Sequence, residues 1–372
     1  MLTGVDRSAF VLSRPHRSVI GEGRLALFDH PGAALRALAD GSARAVVGAL
    51  PFDLSEPCAL TVPATFTVRD ARWRPPVAVP PLPSIVGARE EPSGAEHMRR
   101  IAALVARIDA GELAKVVAAR SVEVACAGRI DPHGLLAALV ARDHAGNGFC
   151  ADLSPAGPGM EDAFLVGASP ESLVRRDGRS VSCWPLAGTA PRSPDPVVDV
   201  QRAEELASSA KNVHEHGFVV DWLRERLAPL CSGLRVEARP SVVATPQVWH
   251  LGTRIEGTLR DPAISALDVA LHVHPTPAVG GTPHEAALEA IRASEGSRGF
   301  YAGAVGWCDS RGDGEWMVSI RCAEVRGDRA RAFAGGGIVA GSDPRAELDE
   351  TSAKLRTLLG ALGVPSDMLG GV

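Results

Sequence analysis

Aromatic side chains are scarce. They make up 4% of 372 residues, with a single tyrosine. A surface that stacks nucleic-acid bases needs more ring area than that. A basic excess is missing too: 39 Lys and Arg face 44 Asp and Glu, for a formal charge of -5. That balance argues against nucleic acid as a partner, which calls for a basic stripe or patch. No run of like charge forms a tail. No apolar stretch approaches the ~18 residues that span a bilayer, which predicts no membrane partner. The opening MLTGVDRSAFVLSRPHRSVIGEG has no apolar block of the kind that marks a secretory leader. Cysteines are few and odd in number (Cys58, Cys126, Cys150, Cys183, Cys231, Cys308 and Cys322), and no two form a CxxC pair. This predicts a reducing, cytoplasmic setting with neither a disulfide framework nor a structural zinc. Repeats of solenoid type are absent. What remains is a globular enzyme of small molecules, with 45% hydrophobic and 22% charged residues.

The first 90 residues are uneven, with apolar runs such as AVVGALPF (45–52) and a strand-like TFTVRDARW (65–73). A Pro-rich stretch, RPPVAVPPLPSI (74–85), is either a linker or an ordered crossing segment. From Ser93 the pattern is regular. Ser93 and Glu96 read as a capping box, followed by Ile101, Leu104, Val105 and Ile108 at helical spacing. KVVAARSVEVA (115–125) and AFLVGAS (163–169) read as strands, and residues 173–188 as a hairpin turning at Asp177-Gly178. One long helix is expected over roughly 199–229, with further helices near 263–272, 284–294 and 345–361. Strands are expected near 247–258, 302–308, 316–325 and 331–334. Hairpins without strict βαβ alternation predict an α+β fold with a large, mostly antiparallel sheet.

Five features could carry chemistry. Lys115 opens an apolar strand. It is either a desolvated amine whose lowered pKa makes it a base, or a strand-end lysine with its ammonium in water. Glu171, in GASPESLVRR, follows a buried strand. It is either a carboxyl kept protonated as a general acid or a turn residue paired with Arg175 or Arg176. On the 199–229 helix, Leu206, Ala210, Val213, Gly217 and Val220 form an apolar stripe with Glu215 opposite, beside Val219 and Trp222. His214 and His216 lie about 200° apart around that helix and cannot chelate one ion. On the last helix Glu347, Glu350 and Lys354 share a face. Two acidic groups far apart in sequence suit a hard cation such as Mg²⁺, while Glu350–Lys354 also reads as a solvent salt bridge. FAGGGIVAGSDP (333–344) is either a run of glycines whose N–H groups face an anion or a tight turn between strand and helix, the two not being exclusive, though no GK[ST] follows. Arg321 sits among strand residues and needs a carboxylate, from protein or substrate.

Longer segments then occur in a recognisable order: PLAGTAPR (185–192), HEHGFVV (214–220), TPQVWHLGTRIEG (245–257), HPTPAVGG (274–281), GWCDSRGDGEWMVSIRCAE (306–324), FAGGGIV (333–339) and ELDETSAKL (347–355). Together, over about residues 90 to 360, they resemble the chorismate-utilising enzymes. HPTPA, GWCDS and IRCA are most similar to isochorismate synthases of catecholate-siderophore pathways. The resemblance implies one domain over residues 1–372, of two stacked, mostly antiparallel sheets flanked by helices, as in anthranilate synthase large subunits. Residues 1–90 match it less well. It implies conversion of chorismate to isochorismate with Mg²⁺ as cofactor. Lys115 would activate the water that attacks C2, and Glu171 would protonate the departing C4 hydroxyl. Glu215, Glu347 and Glu350 would hold the metal. Arg321 and the backbone of Gly335, Gly336 and Gly337 would hold the enolpyruvyl carboxylate. Ala187, Gly188, Thr189, His250 and Lys354 would complete the substrate pocket.

Within the resemblance, Ala187 stands where aminodeoxychorismate synthases carry a nucleophilic lysine, so water is the expected nucleophile. HPTPA replaces the HPAGT of anthranilate synthases, so no glutaminase subunit is expected, and a monomer is. Asn212 replaces an acidic residue common in the family, which removes one negative charge near the metal. A salicylate synthase, which adds pyruvate elimination to the same first step, would share Lys115 and Glu171. A non-catalytic carboxylate-binding relative is the remaining alternative.

Overall fold

The computed structural model describes residues 9–75, 80–365 and 368. Among them, β-branched and apolar runs assemble into a ten-stranded and a nine-stranded sheet, with a third sheet of three strands, and every strand pairing is antiparallel. The inner faces of the two large sheets share one core. Phe10, Leu12 and Val19 of the ten-stranded sheet pack in the same cluster as Val46, Val47 and Leu50 of the nine-stranded one. A second cluster covers the outer face of the ten-stranded sheet. There Leu135, Leu136 and Leu139 of helix Pro132–Arg142 and Leu355, Leu358 and Leu359 of helix Pro344–Leu362 lie over Val122, Val124 and Ala332. This is the expected α+β architecture; the three-stranded sheet of Leu186–Pro191, Val248–Gly252 and Ser241–Ala244 is an addition.

Strands from the first 90 residues are woven into both large sheets: Phe10–Arg14 beside Gly148–Asp152, and Ala45–Leu50 beside Ala304–Asp309. The centre of the Pro-rich stretch, residues 76–79, lies outside the described residues.

Four expectations are corrected. The helix expected over 199–229 is two helices, Pro196–Ser208 and Ala210–Leu227. Ser209 is extended (φ -67°, ψ 109°), and its hydroxyl caps the second helix by accepting the Asn212 N–H. The break re-phases the second helix. Its buried face is Glu215, His216, Val219, Val220 and Leu223, while Val213, placed in the apolar stripe, is exposed. Residues 247–258 and 316–325 are likewise each divided between strands of different sheets, Val248–Gly252 from Ile255–Leu259 and Gly314–Val318 from Cys322–Arg326, so Arg321 lies in neither strand. Finally, the three glycines of FAGGGIV are not a turn. They lie inside the strand Arg329–Val339, paired residue for residue with Lys115–Cys126. Their small size serves a close approach: a Cβ on Gly337 would stand 2.0 Å from the Glu215 carboxylate.

All seven cysteines are buried and unpaired. No helix among the described residues is long and apolar enough to cross a membrane.

Candidate active site

Two chain crossings from one large sheet to the other set the site. Strand Ala163–Gly167 belongs to the ten-stranded sheet and Ser172–Asp177 to the nine-stranded one, and Glu171 ends the turn between them. Strand Gly314–Val318 belongs to the nine-stranded sheet and Cys322–Arg326 to the ten-stranded one, and Arg321 lies at that crossing. Both side chains therefore point into the seam between the sheets. Arg321 is held at φ +51°, a left-handed conformation a bulky residue keeps only when its surroundings impose it.

The seam contains a narrow cavity. About 60 Å³ of it admits the centre of a water molecule. Its walls bring together most of the residues singled out from sequence: Glu171, Ala187, Gly188, Thr189, Glu215, His250, Arg321, Gly335, Gly337, Glu350 and Lys354. Three others stand behind the wall. Gly336 faces the opposite side of its strand, where a Cβ would lie 3.1 Å from Glu347 Oε2 and 3.6 Å from Glu350 Oε1. It therefore does not offer its surface beside Gly335 and Gly337, because neighbouring strand residues face opposite ways. Glu347 lies on that far side. Lys115 is fully buried behind Glu215 and Gly337.

Lys115 is thus not a strand-end lysine in water. Its Nζ lies 3.1 Å from Glu215 Oε1, in ion-pair range but off the hydrogen-bonding direction. Glu171 has no ion-pair partner among the described residues. Burial pushes its carboxyl up to about 7, opposed by a hydrogen bond from the Leu186 backbone and by the positive field of Lys115. The alternative pairing with Arg175 or Arg176 is overturned. Arg175 binds Asp177, and Arg176 donates to the carbonyls of Arg311 and Pro262.

Arg321 is buried, with no carboxylate within ion-pair distance among the described residues, and burial lowers its guanidinium to about 10. Its described partner is His250 Nε2, at 3.1 Å. Arginine can only donate, so Nε2 accepts. Nδ1 therefore carries the proton and donates toward the Gly188 carbonyl at 3.3 Å, with Thr189 Oγ1 at 3.2 Å. Burial and the Arg321 charge keep this imidazole neutral. Beyond Phe333 the glycine strand is paired only with the Lys115 strand. Cys322–Arg326 contributes partners as far as Ala332, leaving the other edge of Gly335–Gly337 open beside Arg321. Alternate N–H groups of such an edge are free for an anion.

Three carboxylates each meet one ammonium: Glu215 and Lys115 at 3.1 Å, Glu347 and Lys211 at 3.1 Å, and Glu350 and Lys354 at 2.5 Å. The last pair is not the solvent bridge open from sequence, since Lys354 also donates to the Gly335 carbonyl at 2.9 Å at the cavity wall. Burial raises the pKa of Glu347, and the nearby charge of Glu350 raises it further. As they stand, no three ligands converge on one point among the described residues. Even so, Glu347 and Glu350 suit a hard cation in donor type, and a cation between them would relieve their repulsion. Asn212, in place of the acidic residue common in the family, braces the wall. Its Oδ1 accepts from the Thr189 N–H at 3.4 Å and its amide donates to Ser209 Oγ at 2.9 Å.

Residues 73–363 match the family of chorismate binding enzymes. The chain belongs to that family. The matched span begins somewhat before the 90–360 read from motifs. Among relatives of this chorismate-binding enzyme, a protein of Mycobacterium tuberculosis provisionally named isochorismate synthase MenF is 50% identical over 95% of this chain and 96% of its own length. The isochorismate synthase DhbC of Bacillus subtilis is 41% identical over 96% of this chain and 94% of its own. A crystal structure from Bacillus anthracis, provisionally a 2,3-dihydroxybenzoate-specific isochorismate synthase, superposes with a TM-score of 0.89. It is 39% identical and covers 97% of this chain and 98% of its own.

Sequence reading missed Tyr301. It is the only tyrosine of this chorismate-binding enzyme, and it lines the cavity with its hydroxyl 2.8 Å from where a Cβ on Gly335 would stand. That rarity, inside the apolar GFYAGAVGW, was the available signal. Val117, Ala278, Val279 and Ile320, the apolar part of the wall, gave none.

Proposed function

We propose that the protein is an isochorismate synthase, an isomerase acting on chorismate, as the names of its relatives over nearly their whole length suggest. The observation that carries the chemistry is Glu171, a carboxyl buried in the seam and pushed up to about 7, within the field of the buried Lys115 amine. The carboxyl can donate a proton at neutral pH, and Lys115 is assigned the base that the reaction also needs. Lys115 takes a proton from the water that adds at C2. The double bonds shift, and Glu171 gives its proton to the C4 hydroxyl, which leaves as water. Ala187 presents only a methyl group to the cavity, so position 187 supplies no amine nucleophile. Arg321, fixed by neutral His250, and the open edge at Gly335 and Gly337 hold the enolpyruvyl carboxylate. Glu350 and Glu347, with Glu215, are the residues that would hold Mg²⁺, which when bound offsets the charge of the ring carboxylate. We place this activity in the cytoplasm, on the strength of seven unpaired buried thiols, and in a monomer without a glutaminase subunit.

The test is product analysis with purified protein, chorismate and Mg²⁺. Isochorismate without pyruvate is the expected result. Pyruvate and fluorescent salicylate formed as chorismate disappears would make it a salicylate synthase. Unchanged chorismate that still raises the melting temperature would make it a non-catalytic relative.

A further inference from the structure

The cavity is narrow, and its reactive groups are almost wholly buried, so a dianion needs a way in. The two strands that floor the cavity continue past it on the same face. Along Lys115–Cys126, Val117 lines the cavity while Ala119 and Ser121 line a neighbouring groove. Along Arg329–Val339, Gly335 and Gly337 line the cavity while Phe333 and Arg331 line the groove. Strand residues two apart share a face, so groove and cavity lie in series on one surface. Tyr301 borders both. Its ring stacks on Phe333, with centroids 4.9 Å apart and planes 9° off parallel, forming the partition between them.

In a protein of net charge -5 the groove carries Arg100, Arg298 and Arg331 against Glu91 and Glu295. Arg298 is buried and tied to Glu295, whereas Arg120 turns its guanidinium to the opposite face of the sheet, onto Glu90, Thr351 and Ser352. Arg331 differs. It is exposed, makes no ion pair among the described residues, donates Nε to Ser121 Oγ at 3.1 Å, and lies 5.1 Å over the Phe333 ring. Glu324, opposite it on the neighbouring strand, feels its charge but lies outside ion-pair distance, so its two terminal nitrogens can turn to a carboxylate at the outer side of the partition.

We infer that this groove is the route by which an anionic, dicarboxylate substrate reaches the cavity, with Arg331 as its first docking point and the Tyr301–Phe333 stack as the door. The inference rests on the chorismate reading of the site. A local positive field raises the association rate of an anion and makes it fall with salt, by tenfold or more where steering is strong.

Chorismate binding is followed by stopped-flow tryptophan fluorescence with Mg²⁺ in a Glu171→Gln background, so that turnover does not intrude. Arg331→Gln should slow association about 3- to 10-fold and flatten its salt dependence, and Arg331→Glu should slow it further. Arg175→Gln, at a half-buried arginine on the far sheet, should change neither. Circular dichroism confirms that each variant is folded. Unchanged association rates and salt slopes in both Arg331 variants would overturn the route. Wild-type protein assayed alongside separates the two ideas: if it does not convert chorismate, the functional reading fails whatever Arg331 does.

Discussion

Arg298 and Arg321 are both buried arginines in the seam region, within reach of the same tyrosine, and their surroundings differ in kind. Arg298 donates to Glu295 at 2.7 and 3.0 Å, to the Val279 carbonyl at 2.7 Å and to the Val117 carbonyl at 2.8 Å. Glu295 in turn accepts the Ala119 N–H at 2.7 Å. Every group there has its counterpart within the chain. Among the described residues Arg321 has His250, a neutral ring, and no carboxylate, and across the seam Glu171 has no cation in contact. The first region ties helix His284–Glu295 to the Lys115 strand. The second leaves charge and proton capacity without internal partners, which is what a substrate needs and what a scaffold avoids.

The comparison can be broken by substitution. Arg298→Met strands Glu295 in the interior and should cost about 3–5 kcal/mol in urea unfolding, the usual effect of removing one partner of a buried pair. Arg321→Met removes a buried charge that has no ionic partner and should cost about 1 kcal/mol or less; equal losses in the two variants would dissolve the distinction. Next in size is the effect of pH on stability through Glu171. Its carboxyl is raised from 4.5 to about 7 in the folded protein, so the stability it contributes is present below 4.5 and lost as pH rises through 7. Glu171→Gln, which cannot ionise, should therefore gain roughly 3 kcal/mol over wild type at pH 8, at about 1.4 kcal/mol per pKa unit, and nothing at pH 4. Melting at the two pH values checks this. The last effect sharpens the functional half of the contrast. Lys115→Ala and Glu171→Gln should each lower kcat at least ~100-fold, equivalent to about 2.7 kcal/mol, and wild-type turnover should decline as pH rises through about 7 when the acid loses its proton. Near-normal rates in either variant would remove that residue from the chemistry.

Lys115, Glu171, Arg321 and the acidic pair of the last helix were legible as residue types at telling places: a lysine in an apolar strand, a carboxyl after a buried strand, an arginine among β-branched neighbours. What joins them was not. Glu171 and Arg321 line one cavity because two consecutive-strand connections switch sheets, and nothing local in GASPES or SIRCAE records that the next strand belongs elsewhere. The helix break at Ser209 was hidden for a related reason. Ser208-Ser209 is tolerable inside a helix, and only the tertiary demand to bury Glu215 and His216 decides that Ser209 ends one helix and caps another. The glycine triplet misled in the opposite sense. Glycine usually signals a turn, and here three in a row stay in a strand because a carboxylate and a lysine press against its face.

The seven buried thiols also have a practical meaning. Burial pushes the pKa of each of them upward, so each stays protonated and out of reach of alkylating reagents in the folded state. The native chain is in effect a blank background for thiol labelling. One cysteine introduced at exposed Val86 would take a maleimide dye alone, with no native cysteine replaced first.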